Sequence, residues 1–158
     1  MAEKKVAIIV GVGEGLGSSL VQEFAMENYS VLAAARSLER LQSITSAINN
    51  SGGRAHPFVC DSTNEASVEK LFDFSIDEVG DPSVVIYNAG SYIPNDFLNT
   101  TSLEFQACWN IGCLGGFHVG QAAARHMVKK GEGTIIFTGA TAACRGSAGF
   151  HNLAVPKF

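Results

Sequence analysis

Short apolar runs alternate along the chain with segments whose apolar positions recur every three or four residues. Val6–Val10 is an unbroken apolar run ending at a glycine cluster, the pattern of a strand buried on both faces. Leu16, Leu20, Val21, Phe24 and Ala25 then share one helical stripe. Residues 31–35 read as a second strand, and Leu38, Leu41, Ile44 and Ile48 as a second helix. Residues 58–60 end a third, weaker strand, and Val68, Leu71, Phe72, Ile76 and Val79 mark the helix after it. Residues 84–87 and 134–138 predict the fourth and fifth strands. Between them, residues 101–130 read as one long helix, opened by a capping box in which Thr101 stands three residues before Glu104. Strands that alternate with helices predict an α/β fold: a Rossmann-type, doubly wound parallel sheet with helices on both faces.

The 158 residues suit a single domain, and no repeat, low-complexity tract or linker divides them. A last helix opens at His151 and ends within a turn or two, too short to stand alone. The expectation is an incomplete domain over 1–158, with more to follow Phe158 and with the fifth strand left as an open sheet edge.

Composition removes several function classes. Charged residues are 16% of the chain, below the roughly 25% of an average soluble domain, so much surface is expected to be buried. Net charge is −4 and the basic residues are scattered, which leaves no stripe for nucleic acid. No segment reaches the roughly 20 apolar residues of a membrane span. Val6–Val10 is shorter than the ~7–15 apolar residues of a signal peptide. Cys60, Cys108, Cys113 and Cys144 form no C-x-x-C pair and sit in apolar stretches. They read as buried, reduced thiols with no metal site among them, and the expected compartment is the cytoplasm.

The first strand runs into Gly11-Val12-Gly13-Glu14-Gly15-Leu16-Gly17, and a helix follows. Glycines there permit tight turns and a close approach to a pyrophosphate, and the helix N-terminus offers free N–H groups. Leu16 breaks a G-x-G-x-x-G match, whereas Gly11, Gly15 and Gly17 fit G-x-x-x-G-x-G. On that spacing the chain resembles the short-chain dehydrogenase/reductase family, whose signature places a Thr where Val10 stands. Tyr87-Asn88-Ala89-Gly90 is similar to the family's N-N-A-G, with Tyr87 in place of the first Asn. Asp61, followed by Ser62, stands where the family carries an acidic residue near adenine. The resemblance runs from Val6 to Lys157 and implies a nicotinamide dinucleotide at the C-terminal edge of the sheet. The residues it brings together are Gly11, Gly13, Glu14, Gly15, Leu16, Gly17, Arg36, Asp61, Ser62, Asn88, Ala89, Gly90 and Lys157.

The second strand closes on Ala35-Arg36, with no acidic residue to take a ribose 2′-OH. A guanidinium suits a 2′-phosphate, so NADP(H) is favoured over NAD(H). Glu14 argues against a phosphate if it lies close, and Arg36 could instead be a solvated loop residue.

The family implies a catalytic Tyr and Lys as Y-x-x-x-K, a Ser that positions the carbonyl, and an Asn in the long helix. Lys157 matches the Lys, Leu153 stands at the Tyr position and Ala140 at the Ser position. The downstream register favours Gly112 at the Asn position, and Asn110 would lie about 200° around an ideal helix from it. Neither Leu153 nor Ala140 carries a titratable proton. His151, Thr138, Thr141 and Cys144 are candidate substitutes. Lys157 itself reads either as a ribose ligand or as a surface lysine on a fraying end.

Gly112, Gly116 and Gly120 recur every four residues, and each costs about 0.8–1.0 kcal/mol against alanine in a helix interior. Close packing within the chain, or against a second copy through helix 101–130 as the family implies, would offset that. Two functions stay open: an NADP-dependent oxidoreductase on a small carbonyl or alcohol with an altered site, and a catalytically inactive dinucleotide-binding sensor or scaffold.

Overall fold

The computed structural model describes residues 5–157. Five strands, β1 (Val6–Val10), β2 (Ser30–Ala35), β3 (Arg54–Val59), β4 (Pro82–Tyr87) and β5 (Thr134–Phe137), form one parallel sheet in the order β3-β2-β1-β4-β5. Side chains alternate across each strand, and β1 feeds two cores. Val6, Ile8 and Val10 pack with Leu71 and Phe72 of α3 (Glu65–Phe74) and with Val119 and Ala123 of α5 (Gly115–Lys130). Ile9 packs on the other face with Val21 of α1 (Leu16–Met26) and with Leu41 and Ile48 of α2 (Leu38–Asn50). The expected doubly wound parallel sheet with helices on both faces is the fold.

The third strand begins earlier than its apolar pattern suggests. Arg54, His56 and Pro57 belong to it, paired with Ser30, Leu32 and Ala33 of β2. It is an edge strand, where an exposed Arg and a Pro without an N–H are tolerated.

The long helix is not uniform. Thr101 caps α4 (Ser102–Trp109) through the expected box, its Oγ1 accepting from Glu104 N at 3.2 Å while Glu104 Oε2 accepts from Thr101 N at 2.8 Å. One wide π-type turn, Asn110–Leu114, then separates α4 from α5. The glycine stripe of the long helix faces inward: a methyl on Gly116 would touch the Tyr87 ring, and one on Gly120 would stand 2.9 Å from the Phe137 ring. Close packing inside the chain therefore accounts for Gly120, whereas a methyl on Gly116 would make only ordinary contact.

Two of the four thiols depart from expectation. Cys60 and Cys108 are buried, whereas Cys113 and Cys144 are exposed. Cys113 lies on the outer side of the wide turn, and Cys144 ends the four-residue α6 (Thr141–Cys144) beyond β5. Apolar neighbours along the chain do not bury a residue whose face of the helix has nothing over it. Among the described residues no helix is long and apolar enough to cross a membrane.

Candidate functional site

The strand order reverses at β1, which has β2 on one side and β4 on the other, and all three end level: Val10 pairs with both Ala34 and Tyr87. A crevice opens at such a switch point. At its floor Gly11 has φ +93°, and a Cβ there would stand 2.6 Å from Ala89 Cα and 2.8 Å from the Asn88 carbonyl carbon. Asn88 holds this close approach from the other side, donating from Nδ2 to Gly11 O at 3.0 Å and from its backbone N to Val10 O at 2.8 Å. Gly17 lets α1 sit on its own loop, since a Cβ there would come within 2.8 Å of Gly11 O. A Cβ on Gly13 or Gly15 would meet nothing, so the loop presents bare backbone. Gly15 is the N-cap of α1 and supplies no side-chain cap; of the first turn, Ser18 N donates to Gly13 O at 2.9 Å.

The cleft above this floor has a volume of about 330 Å³. Gly11, Gly13, Arg36, Asp61, Ser62, Asn88, Ala89 and Gly90 line it, as the sequence brings them together. Glu14, Gly15, Leu16, Gly17 and Lys157 do not. Glu14 lies on a neighbouring shallow depression shared with Ser37 and Arg40, Leu16 is exposed, and Gly17 is buried behind the loop. Val12, Ser37, Arg40 and Ile111 also line the cleft, and the sequence motifs do not single them out. Arg40 was legible in principle. Ser37 caps α2 by accepting from Arg40 N at 3.4 Å, so Arg40 is fixed in the first turn, close to Arg36. Asp61 follows the neighbouring strand β3 and is tied down, its Oδ1 accepting from Thr63 N at 3.0 Å and Thr63 Oγ1 at 2.8 Å.

Lys157 is anchored near the second end of the crevice rather than frayed. It sits on α7 (His151–Lys157) and its Nζ donates to Ala89 O and Thr138 O, each at 2.9 Å. Leu153 precedes it by one helical turn, and Ala140, in extended backbone, is the N-cap of α6. The face of the wide turn that meets α7 carries Gly112, where a Cβ would overlap Pro156. That turn interrupts the regular α-helical winding, so the ideal angle between Asn110 and Gly112 does not carry across it. His151 is engaged elsewhere. Its Nε2 is 2.7 Å from Thr100 Oγ1, and its ring meets Phe97 edge-on. Thr138 is half-buried, Thr141 and Cys144 are exposed, and none of them is in the 330 Å³ cleft.

Burial lowers the Lys157 pKa below the ordinary lysine value. As pH rises, the folded chain therefore releases this proton before the unfolded chain does. Stability gains from this group between the lowered pKa and the ordinary one, because the unfolded state binds more protons there. Thermal midpoints of the wild type should thus rise relative to those of Lys157→Met as pH climbs toward the ordinary lysine value from below. A constant difference across that range would contradict a charged lysine held in this partly desolvated position.

Comparison with known proteins agrees with this architecture. The sequence pattern of the short chain dehydrogenase family matches residues 5–158. Over 132 residues the chain is 30% identical to the 7alpha-hydroxysteroid dehydrogenase of Escherichia coli (strain K12), a match covering 84% of this chain and 51% of that protein. It is 28% identical over 157 residues to the short-chain reductase protein NovJ of Streptomyces niveus, covering 99% of this chain and 60% of NovJ. A solved short-chain dehydrogenase from Rhodopseudomonas palustris matches with a TM-score of 0.91 at 34% identity, over 98% of this chain and 72% of that one. The chain spans about half the length of the curated relatives it matches.

Proposed function

We infer the chemistry of this chain from its family: it belongs to the short-chain dehydrogenases. The reading is a nicotinamide dinucleotide-binding protein, NADP(H) preferred, that acts as an oxidoreductase on a small carbonyl or alcohol with an altered proton-donor site. One observation carries it. The Gly11 backbone is pressed against Asn88 and Ala89, opening a bare-backbone crevice with Arg36 and Arg40 at one end.

The residues present fit such a cofactor. Gly13 leaves open space where a side chain would project toward a pyrophosphate, Gly11 lets the loop close on Asn88 and Ala89 to make the floor beneath it, and the N-terminus of α1 beside it carries no side-chain cap. Arg36 and Arg40 offer planar forks to a 2′-phosphate. Asp61 and Ser62 form the wall assigned to adenine. Lys157 spends two of its three N–H donors on Ala89 O and Thr138 O, and the third is free for a ribose hydroxyl. When bound, the cofactor supplies or takes a hydride at its nicotinamide ring. At Leu153 and Ala140 the chain offers neither a proton nor a hydrogen bond. That deficit favours the second reading, a dinucleotide-binding sensor or scaffold with little turnover. Self-association through α4 and α5 belongs to the same proposal, since Leu103, Phe117 and Val128 are exposed along them.

The cofactor assignment is tested by titrating wild type and Arg36→Ala with NADPH and NADH. A charge-assisted hydrogen bond is worth about 1.5–3 kcal/mol, so NADPH affinity should fall roughly ten- to a hundredfold. NADH affinity should stay within about twofold of wild type, because NADH has no 2′-phosphate to lose that bond. Equal losses for both nucleotides would remove Arg36 from the 2′-phosphate site.

A further inference from the structure

We propose that Tyr87 is a positioning residue whose hydroxyl holds Ser62 and the Ile111 carbonyl in place and so sets two neighbouring residues of the dinucleotide cleft's lining. The proposal rests on the dinucleotide reading above. Tyr87 does not itself line that cleft, whereas Ser62 and Ile111 do. It ends β4 with 1% of its surface exposed, inside the core that β1, α3 and α5 share. A phenol in such a place needs hydrogen-bond partners. It has two, from separate elements: its hydroxyl donates to Ile111 O in the wide turn and lies 3.1 Å from Ser62 Oγ in the loop after β3.

The protons can be counted. A carbonyl only accepts, so the single phenol proton goes to Ile111, and Ser62 must donate to Tyr87. Burial raises the Tyr87 pKa, which keeps that proton in place. His118 adds a second tie, Nδ1 donating to Ser62 O at 3.0 Å. The packing is shaped around this unit. A Cβ on Gly115 would overlap the Tyr87 hydroxyl and stand 2.7 Å from Ser62 Oγ, so a glycine one residue past the wide turn is matched to a tyrosine on β4. In the motif Tyr87 is only a replacement for an Asn; in the fold its buried hydroxyl joins two residues that line the cleft.

The proposal is tested with Tyr87→Phe, Gly115→Ala and the double variant, each read by thermal unfolding and by calorimetric titration with NADPH. Tyr87→Phe should stay folded and bind NADPH about five- to tenfold more weakly, since Ser62 and the Ile111 carbonyl both lose their tie to it. Gly115→Ala should lower the thermal midpoint. The double variant should recover much of that midpoint, because the methyl occupies the space the hydroxyl left, but should not recover affinity. Recovery of both would mean that the hydroxyl only fills space, and the proposal fails. It also fails if Tyr87→Phe binds NADPH within twofold of wild type. Should Tyr87→Phe not fold, Ser62→Ala carries the test, and unchanged NADPH affinity there overturns it. A wild-type chain that binds neither NADPH nor NADH is a different failure: it removes the dinucleotide reading, and the cofactor role of Tyr87 with it.

Discussion

Gly11→Ala should abolish nucleotide binding and lower the stability of the folded chain by about 2–6 kcal/mol. Two costs combine. Gly11 sits at φ +93°, where a residue with a Cβ is strained by about 1–3 kcal/mol. The new methyl would also stand 2.6 Å from Ala89 Cα and 2.8 Å from the Asn88 carbonyl carbon. Those are backbone atoms at the end of β4, and they cannot turn aside as a side chain can. Overpacking of this kind costs about 1–3 kcal/mol. Relief would require the β1 loop and the β4 loop to part, breaking the 3.0 Å Asn88–Gly11 bond and displacing the floor of the cleft. Gly13→Ala is the control. Its Cβ meets nothing within 4 Å, so the thermal midpoint should hold, and any loss of NADPH affinity would report a close approach of ligand to backbone. If Gly11→Ala and Gly13→Ala unfold at the same temperature, the contact between the two loops is not the constraint described.

The glycine loop was legible because three signals agree: an apolar run, closely spaced glycines and a helical stripe. The capping box at Thr101 was legible because its chemistry is local. The first half of β3 was not, since Arg54, His56 and Pro57 carry no strand-like alternation and are held there by pairing with β2. Nothing in the composition of Asn110–Leu114 marks a wide turn, yet that turn places Ile111 on the cleft and Gly112 against Pro156. Arg40 lies outside the strand-end motif, and its position depends on a helix cap at Ser37. Tyr87 registers in the sequence only as a departure from a motif. Its partners, Ser62 and Ile111, are 25 and 24 residues away in sequence, a separation that no local pattern reveals.

Restoring two side chains should separate the enzyme from the binding module. Leu153→Tyr combined with Ala140→Ser is expected to raise NADPH-dependent reduction of an aldehyde or ketone by about 10²–10⁴-fold, the usual contribution of a positioned acid–base group. The placement favours this outcome. Residues 153 and 157 are one turn apart on α7, and Lys157 is already anchored by Ala89 O and Thr138 O. A phenol at 153 would lie on the same side of the helix as an ammonium, which lowers the energy of the phenolate and so makes the proton easier to give. Leu153 and Ala140 are both partly exposed, so neither hydroxyl would be trapped without a partner. The Asn implied by the family at 112 is left out, because any side chain there would collide with Pro156. The double variant therefore tests whether a tyrosine, a serine and the resident lysine suffice. Each single substitution should give less than the pair, since one supplies the proton and the other orients the carbonyl that receives it. Turnover that stays at background in a double variant that still binds NADPH with wild-type affinity would assign the chain to dinucleotide binding without hydride transfer.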